Sequence, residues 1–227
     1  MNRPPHGPYQ QPPRQGWPPH PPQPPAKSKA PLVIGILAGV LVLGAAGVAG
    51  VLYLGSHGDS GSEKRADRLP AACGNVSEAA LAKARTTNPN GRGSSERKLA
   101  GGTRTTCAWS QTKGVDGSGL RNTEVIVFQD NENAGDEFER IVAQNMANTQ
   151  GTPQQKPLDG LGDQATAVLV ESKSAFTEMS VVVRADDNVV EVDISGWDAG
   201  FFGNDRPDVA ELEAAARGLA EEMIAKL

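Results

Sequence analysis

Three short stretches of this chain place reactive residue types at spacings that chemistry uses. Asp130-Asn131-Glu132-Asn133-Ala134-Gly135 begins like a calcium-binding loop, in which alternate side-chain oxygens close on the ion. Ala134 stands where the fifth position needs an oxygen and Ile141 where the twelfth needs a bidentate Glu, so the stretch reads as an acidic loop entering a helix. Gly160-Leu161-Gly162-Asp163-Gln164-Ala165 fits the dinucleotide pattern G-x-G-x-x-A, but a β-rich run follows where a helix would have to receive the pyrophosphate. A tight turn into a strand is the expected role. Asp186 and Asp187 would act as a glycosidase-like acid pair only if they converged. As neighbours on an extended chain they point apart, and beside Asn188 they read as a turn.

The histidines, His6, His20 and His57, all precede the folded domain, which excludes Ser-His-Asp and Cys-His catalysis and histidine-ligated zinc from it. Cys73 and Cys107 are the two cysteines. An even pair in a membrane-tethered domain favours a disulfide in an oxidising compartment over two free buried thiols, and a paired cysteine is no nucleophile. No catalytic residue, metal or cofactor is therefore assigned. An enzyme would have to work through carboxylates, and two facing acids in a deep cleft with raised pKa would mark a site acting on glycan or peptidoglycan. Every acidic residue lies beyond Leu54, where the formal charge is −9, whereas residues 1–31 carry +4. An acidic domain argues against a nucleic-acid partner, because phosphate binding needs clustered Lys and Arg.

The elements that must position any site hang on residues 32–54, an uninterrupted run of 23 residues without a charge. As a helix it would be about 35 Å long, enough to cross a hydrocarbon core about 30 Å thick with modest tilt. It is expected to be a single transmembrane helix that tethers the protein in the membrane. The run is longer than a signal-peptide core, begins some thirty residues in and lacks a clear A-x-A site. Pro70 stands where a lipobox upstream of Cys73 wants an aliphatic residue, which disfavours a lipid anchor there. Basic residues near the two ends of the run balance, but Lys27 and Lys29 sit closest and undiluted by acids, and the cysteine pair favours an outside domain. The expected topology is N-terminus cytoplasmic and C-terminal domain extracytoplasmic. Residues 1–31 contain 12 prolines and read as a disordered tail of polyproline character. Pro21-Pro22-Gln23-Pro24, Tyr9 and Trp17 make a cytoplasmic partner for it conceivable beside the plain reading of a solvated spacer. Residues 55–69, rich in Gly, Ser and charge, read as a flexible stalk.

Residues 70–227 suit one extracytoplasmic domain. Asn75-Val76-Ser77-Glu78 predicts an Asn-capped helix running to about Thr86. The polar residues 87–102 read as loop. Thr105, Cys107 and Trp109 alternate on a strand, and residues 123–129 return as its partner. Phe138, Ile141, Val142, Asn145, Met146 and Thr149 predict a helix over about 134–148. Pro153 and Pro157 are expected to end regular structure. Strands at about 164–171, 176–184 and 189–195, joined by short turns, predict an antiparallel meander. Pro207 opens a last helix whose apolar positions Val209, Leu212, Ala216, Leu219, Met223 and Leu227 step by three or four. The fold class is therefore α+β: an antiparallel sheet of about five strands packed with about three helices, preceded by the span. Trp197, Phe201 and Phe202 crowd into the glycine-flanked stretch 196–203, which is either a lid over the core or an exposed docking loop.

Cys73, Cys107-Ala108-Trp109, Pro157-Leu158-Asp159-Gly160-Leu161-Gly162-Asp163-Gln164-Ala165, Val182-Val183-Arg184 and Val189-Val190-Glu191-Val192 follow a familiar order. Together they resemble an actinobacterial family of extracytoplasmic lipoproteins and single-pass membrane proteins of unknown function. The resemblance implies a fold like the extrinsic P protein of photosystem II, paired cysteines and no catalytic residues. The chain departs from many of those relatives in its anchor, a transmembrane helix in place of a lipidated cysteine. The functional expectation is a membrane-tethered binding, scaffold or sensor-like domain with an envelope protein partner. The alternatives are a carboxylate-based envelope enzyme and a signalling protein whose tail recruits a cytoplasmic partner.

Overall fold

A computed structural model describes Val51 and residues 59–99 and 101–227. The expected tail and, apart from Val51, the expected span lie outside the described residues. Among the described residues, no helix is long and apolar enough to cross a membrane. A 3-10 turn, Ala71–Asn75, leads into helix α1, Glu78–Lys83, and strands β1, Asn88–Pro89, β2, Ser95–Leu99, β3, Gly102–Ser110, and β4, Leu120–Gln129. Helix α2, Ala134–Met146, then precedes β5, Gly151–Pro157, β6, Gln164–Ser172, β7, Thr177–Ala185, β8, Asn188–Ala199, and β9, Asn204–Asp205; helix α3, Val209–Ile224, comes last.

The architecture is α+β, as expected, but the antiparallel sheet is larger than five strands. Its order is β1-β3-β4-β8-β7-β6-β5, with β2 also on β3 and β9 on β8. The β3–β4 hairpin and the β6–β7–β8 meander arise where alternating apolar residues are separated by turn formers, since each strand buries one face and short turns force antiparallel neighbours. After α2 the chain starts again at the far edge with β5 and walks back, so that β8 pairs β4 from Leu120↔Trp197 to Phe128↔Val189.

Four sequence expectations are corrected. Pro153 and Pro157 do not end regular structure: they sit in β5, an edge strand, where a missing N–H breaks no inner ladder. Residues 87–102 are not simply loop, because β3 pairs with β1 and with β2; β2 is exposed along its whole length and so has no apolar alternation to read. The stalk is not free from Asp59 onward. Asp59 and Ser62 bridge Gly119 and Thr112, and the buried Asn88 amide donates to the Ser62 and Glu63 carbonyls while accepting from the Arg65 N–H at 2.8 Å. Finally Ser77, not Asn75, caps α1: its Oγ accepts from the Ala80 N–H at 3.1 Å, and Glu222 on α3 accepts from both the Ser77 N–H and hydroxyl. The left-handed Arg85, at φ 61°, stops the chain from continuing as helix to Thr86.

Strand alternation divides the interior in two. Cys107, Trp109, Val125, Val127, Val181, Val183, Val190, Val192 and Ile194 face α1 and α3, which contribute Leu81, Leu212, Leu219 and Met223. Ile126, Phe128, Val182 and Val189 face α2 through Phe138, Ile141 and Val142. The expected helical stripe of α3 is buried at Leu212, Ala216, Leu219 and Met223, whereas Leu227 lies past the helix end and is exposed. Asp208, one residue after Pro207, caps α3 by accepting from the Glu211 N–H at 2.9 Å.

Cys73 and Cys107 form a disulfide that ties the 3-10 turn to β3 across a sequence separation of 34. Replacing both by alanine should lower unfolding stability by about 4 kcal/mol, the chain-entropy cost released when a loop of that size is reopened, as read from urea denaturation. Gly218 lies within α3, and a Cβ added there meets nothing within 4 Å. Gly218→Ala should therefore raise stability by about 0.5–1 kcal/mol in the same assay.

Candidate functional site

The same alternation that points valines at α3 turns Glu124 of β4, Glu178 and Ser180 of β7, and Glu191, Asp193 and Ser195 of β8 toward the α2 side. Helix α2 covers the apolar end of that face, and the polar end opens into a cleft of about 320 Å³. Asn90, Ala108, Asn122, Glu124, Glu178, Asp193 and Ser195 contribute to its lining. Pairing of β4 with β8 sets Glu124 opposite Asp193, while pairing of β7 with β8 sets Ser180 opposite Asp193 and Glu178 opposite Ser195.

These acids hold protons more tightly than exposed carboxyls do. Burial pushes Asp193 well above its ordinary value, and the neighbouring charge of Glu191 adds to the shift while a hydrogen bond from the Ser180 hydroxyl opposes it. Burial also raises Glu191, offset by the Asn145 amide that donates to it at 2.9 Å. Glu124 and Glu178 rise for the same reason, against the attraction of Arg104 and a hydrogen bond from Asn148 respectively. Such a group of acids can share protons more readily than exposed carboxyls, or draw a cationic group that lets them ionise.

Sequence reading assigns none of these residues to a site, although Glu191 falls within the Val189-Val190-Glu191-Val192 stretch that carries the resemblance. The signal was Glu191-x-Asp193 and Glu178-x-Ser180, polar groups at period two inside valine-rich strands, which mark a strand with one face away from the core. The motifs that were named lie elsewhere. The acidic stretch after β4 turns through Asp130, at φ 53°, and Asn131, whose Oδ1 accepts from the Asn133 N–H at 3.0 Å, into α2. Gly160 and Gly162, at φ 70° and 58°, form the turn into β6, and Asp186 with Asp187 form the β7–β8 turn. Among the described residues, no group of three or more His, Cys, Asp or Glu has the arrangement to hold a metal.

The aromatic stretch is not one loop. β8 continues through half-buried Trp197, opposite Leu120, to Ala199. Phe201 and Phe202 then form the tip of a β8–β9 hairpin, 63 % and 61 % exposed, with rings edge to face at 4.4 Å. Rings this exposed are not a buried lid over the core.

A polar hub fixes the foot of that hairpin. Asp198 Oδ1 accepts at 2.6 Å from both Arg85 and Arg121, and Arg85 also donates to the carbonyls of Asp116 and Ser118. Asp116 accepts from the Thr87 and Thr112 N–H groups at 2.9 and 2.6 Å. Burial lowers the Arg121 pKa, opposed by Asp198, so this carboxylate is what keeps a buried cation in place.

No protein-family model, curated protein or solved structure matches this chain.

A carboxyl whose folded pKa stands above its unfolded value binds its proton more readily when folded. Its contribution to stability therefore falls as pH rises from about 4 through the raised value. Asp193, facing Glu124, Glu178 and Glu191, dominates this effect. Asp193→Asn keeps an acceptor for Ser180, removes the charge and should stabilise the fold at neutral pH. In urea denaturation at a series of pH values, the wild-type and variant curves should converge toward pH 4.

Proposed function

We propose that the chain is a single-pass membrane protein whose residues 70–227 form a non-catalytic extracytoplasmic binding or scaffold domain. Residues 32–54 are read as the span, with the proline-rich tail cytoplasmic. The observation that carries the binding reading is the asymmetry of the sheet: one face is closed by α1 and α3, while beyond α2 the other opens into the cleft between Asn90, Asn122, Glu178, Asp193 and Ser195. Polar groups on a rigid sheet, most of them half-buried, present fixed hydrogen-bonding geometry to a ligand at little ordering cost. The Cys73–Cys107 disulfide supports an oxidising compartment, and the family resemblance supports an envelope location.

A second reading draws on the raised carboxyls. Glu124 opposite Asp193 in one cleft is the arrangement a carboxylate enzyme acting on envelope glycan would need. Against it, Asp193 is engaged by Ser180 and Glu191 by Asn145, and the cleft is only partly enclosed.

A photo-crosslinking residue at Asn122 or Ser195 of the full chain in its native membrane should give a discrete adduct with an envelope component. The same group at Ala214 on α3 should not, and deleting residues 1–26 should leave the cleft adduct unchanged. Cleavage of purified envelope glycan by the full chain, lost in Glu124→Gln, would replace the binding reading with the enzymatic one. Absence of any cleft-specific adduct would remove the cleft from the proposal.

A further inference from the structure

We propose that the Phe201–Phe202 hairpin seats in the outer interface of the same bilayer that holds residues 32–54, giving the domain a second contact with the membrane. This rests on reading those residues as a span, and adds a site to it. The tip presents two exposed aromatic rings between Gly200 and Gly203, with no charge among the four residues. Its foot is held by the pairs Asp198↔Asp205 and Ala199↔Asn204, and the Gly200 N–H donates to the Gly203 carbonyl at 2.7 Å. Asp198 is pinned in turn by Arg85 and Arg121. Two large apolar side chains are thus carried on a braced projection.

Covalent geometry supplies the nearness. The apolar run ends at Leu54, and by Asp59 the chain is bridged to Gly119, with the Ser60 N–H donating to the Gly119 carbonyl at 3.3 Å. Five residue steps span at most about 18 Å even when fully extended. Gly119 abuts the hairpin foot so closely that a Cβ there would fall 2.5 Å from the Trp197 carbonyl oxygen and 3.1 Å from the Asp198 Cα. The point at which the chain leaves the membrane is therefore tied to the strand end from which Phe201 and Phe202 project. Aromatic rings gain most at the bilayer interface, where an apolar body meets a wet boundary.

The surrounding charge narrows the lipid chemistry. Asp205 and Asp208 are exposed beside the hairpin, and Arg206 is engaged by the Ser172 carbonyl and Glu171. Attraction to anionic headgroups is therefore not the driving term; the contact is apolar insertion, which a zwitterionic surface serves as well.

The test uses the full chain reconstituted in phosphatidylcholine vesicles, with Phe202→p-benzoylphenylalanine or the same analogue at exposed Ala214 on α3. Oxidation of Cys73 and Cys107 serves as the check on folding. After irradiation, mass spectrometry should find phosphatidylcholine adducts at position 202 at least tenfold above those at 214, unchanged by added salt. Retention of the chain in the vesicles through an alkaline wash, without lipid adducts at 202, would overturn the hairpin contact while leaving the span intact. So would an adduct at 202 in native membranes that is exclusively a protein. Release of the chain by the alkaline wash would overturn the span reading, and the hairpin proposal with it.

Discussion

The pairing of β4 with β8 is the constraint on which the rest depends. It joins a hairpin formed early in the chain to a meander formed late, and it runs down the middle of the sheet from Leu120↔Trp197 to Phe128↔Val189. Because side chains alternate across a strand, this one register decides at once which residues meet α3, which meet α2 and which are left to solvent. A slip of one residue would put Glu191 and Asp193 where Val190 and Val192 now pack, and the buried cost of those charges would leave neither core intact. The register is thus enforced by what it buries, and the acidic cleft is a by-product of the same rule.

The parts of the fold legible in the sequence were those whose signal is local. Valine alternation over β7 and β8, the turn at Asp186 and Asp187 and the stripes of α2 and α3 each declare themselves within a dozen residues. Edge strands do not: β2 is exposed throughout and β5 contains two prolines, so neither carries the pattern that burial imprints. The docking of residues 59–69 was hidden for another reason. It depends on Asn88, whose side-chain partners lie more than twenty residues away and are mostly backbone groups. Composition suggests a linker; only the tertiary hydrogen bonds remove it.

The candidate site was the least legible part. Glu124 and Asp193 are neighbours only through the strand register, and Arg85 meets Asp198 across 113 residues of sequence. A carboxylate in a strand looks from the sequence like an outward, solvated residue. That is half right here, since the face is outward but the groups have lost enough water for their proton affinity to change. The aromatic stretch shows the converse. Its composition was read correctly as unusual, but the ladder carries Trp197 into the sheet and leaves only Phe201 and Phe202 at the tip.

The position of the disulfide sets an order of events during synthesis. Both of its cysteines precede β4, whereas the central seam waits for β8, which emerges only after α2 and three further strands. A chain delivered from its N-terminus can thus be oxidised while its sheet is still open, and the crosslink shortens the search that the late strands must make. Until residues 188–199 arrive, β4 is an uncovered edge with Val125 and Val127 unburied on one side and Ile126 and Phe128 on the other. That interval is when a nascent domain of this topology is most exposed to mispairing, and a chaperone acting on it would find its target on β4.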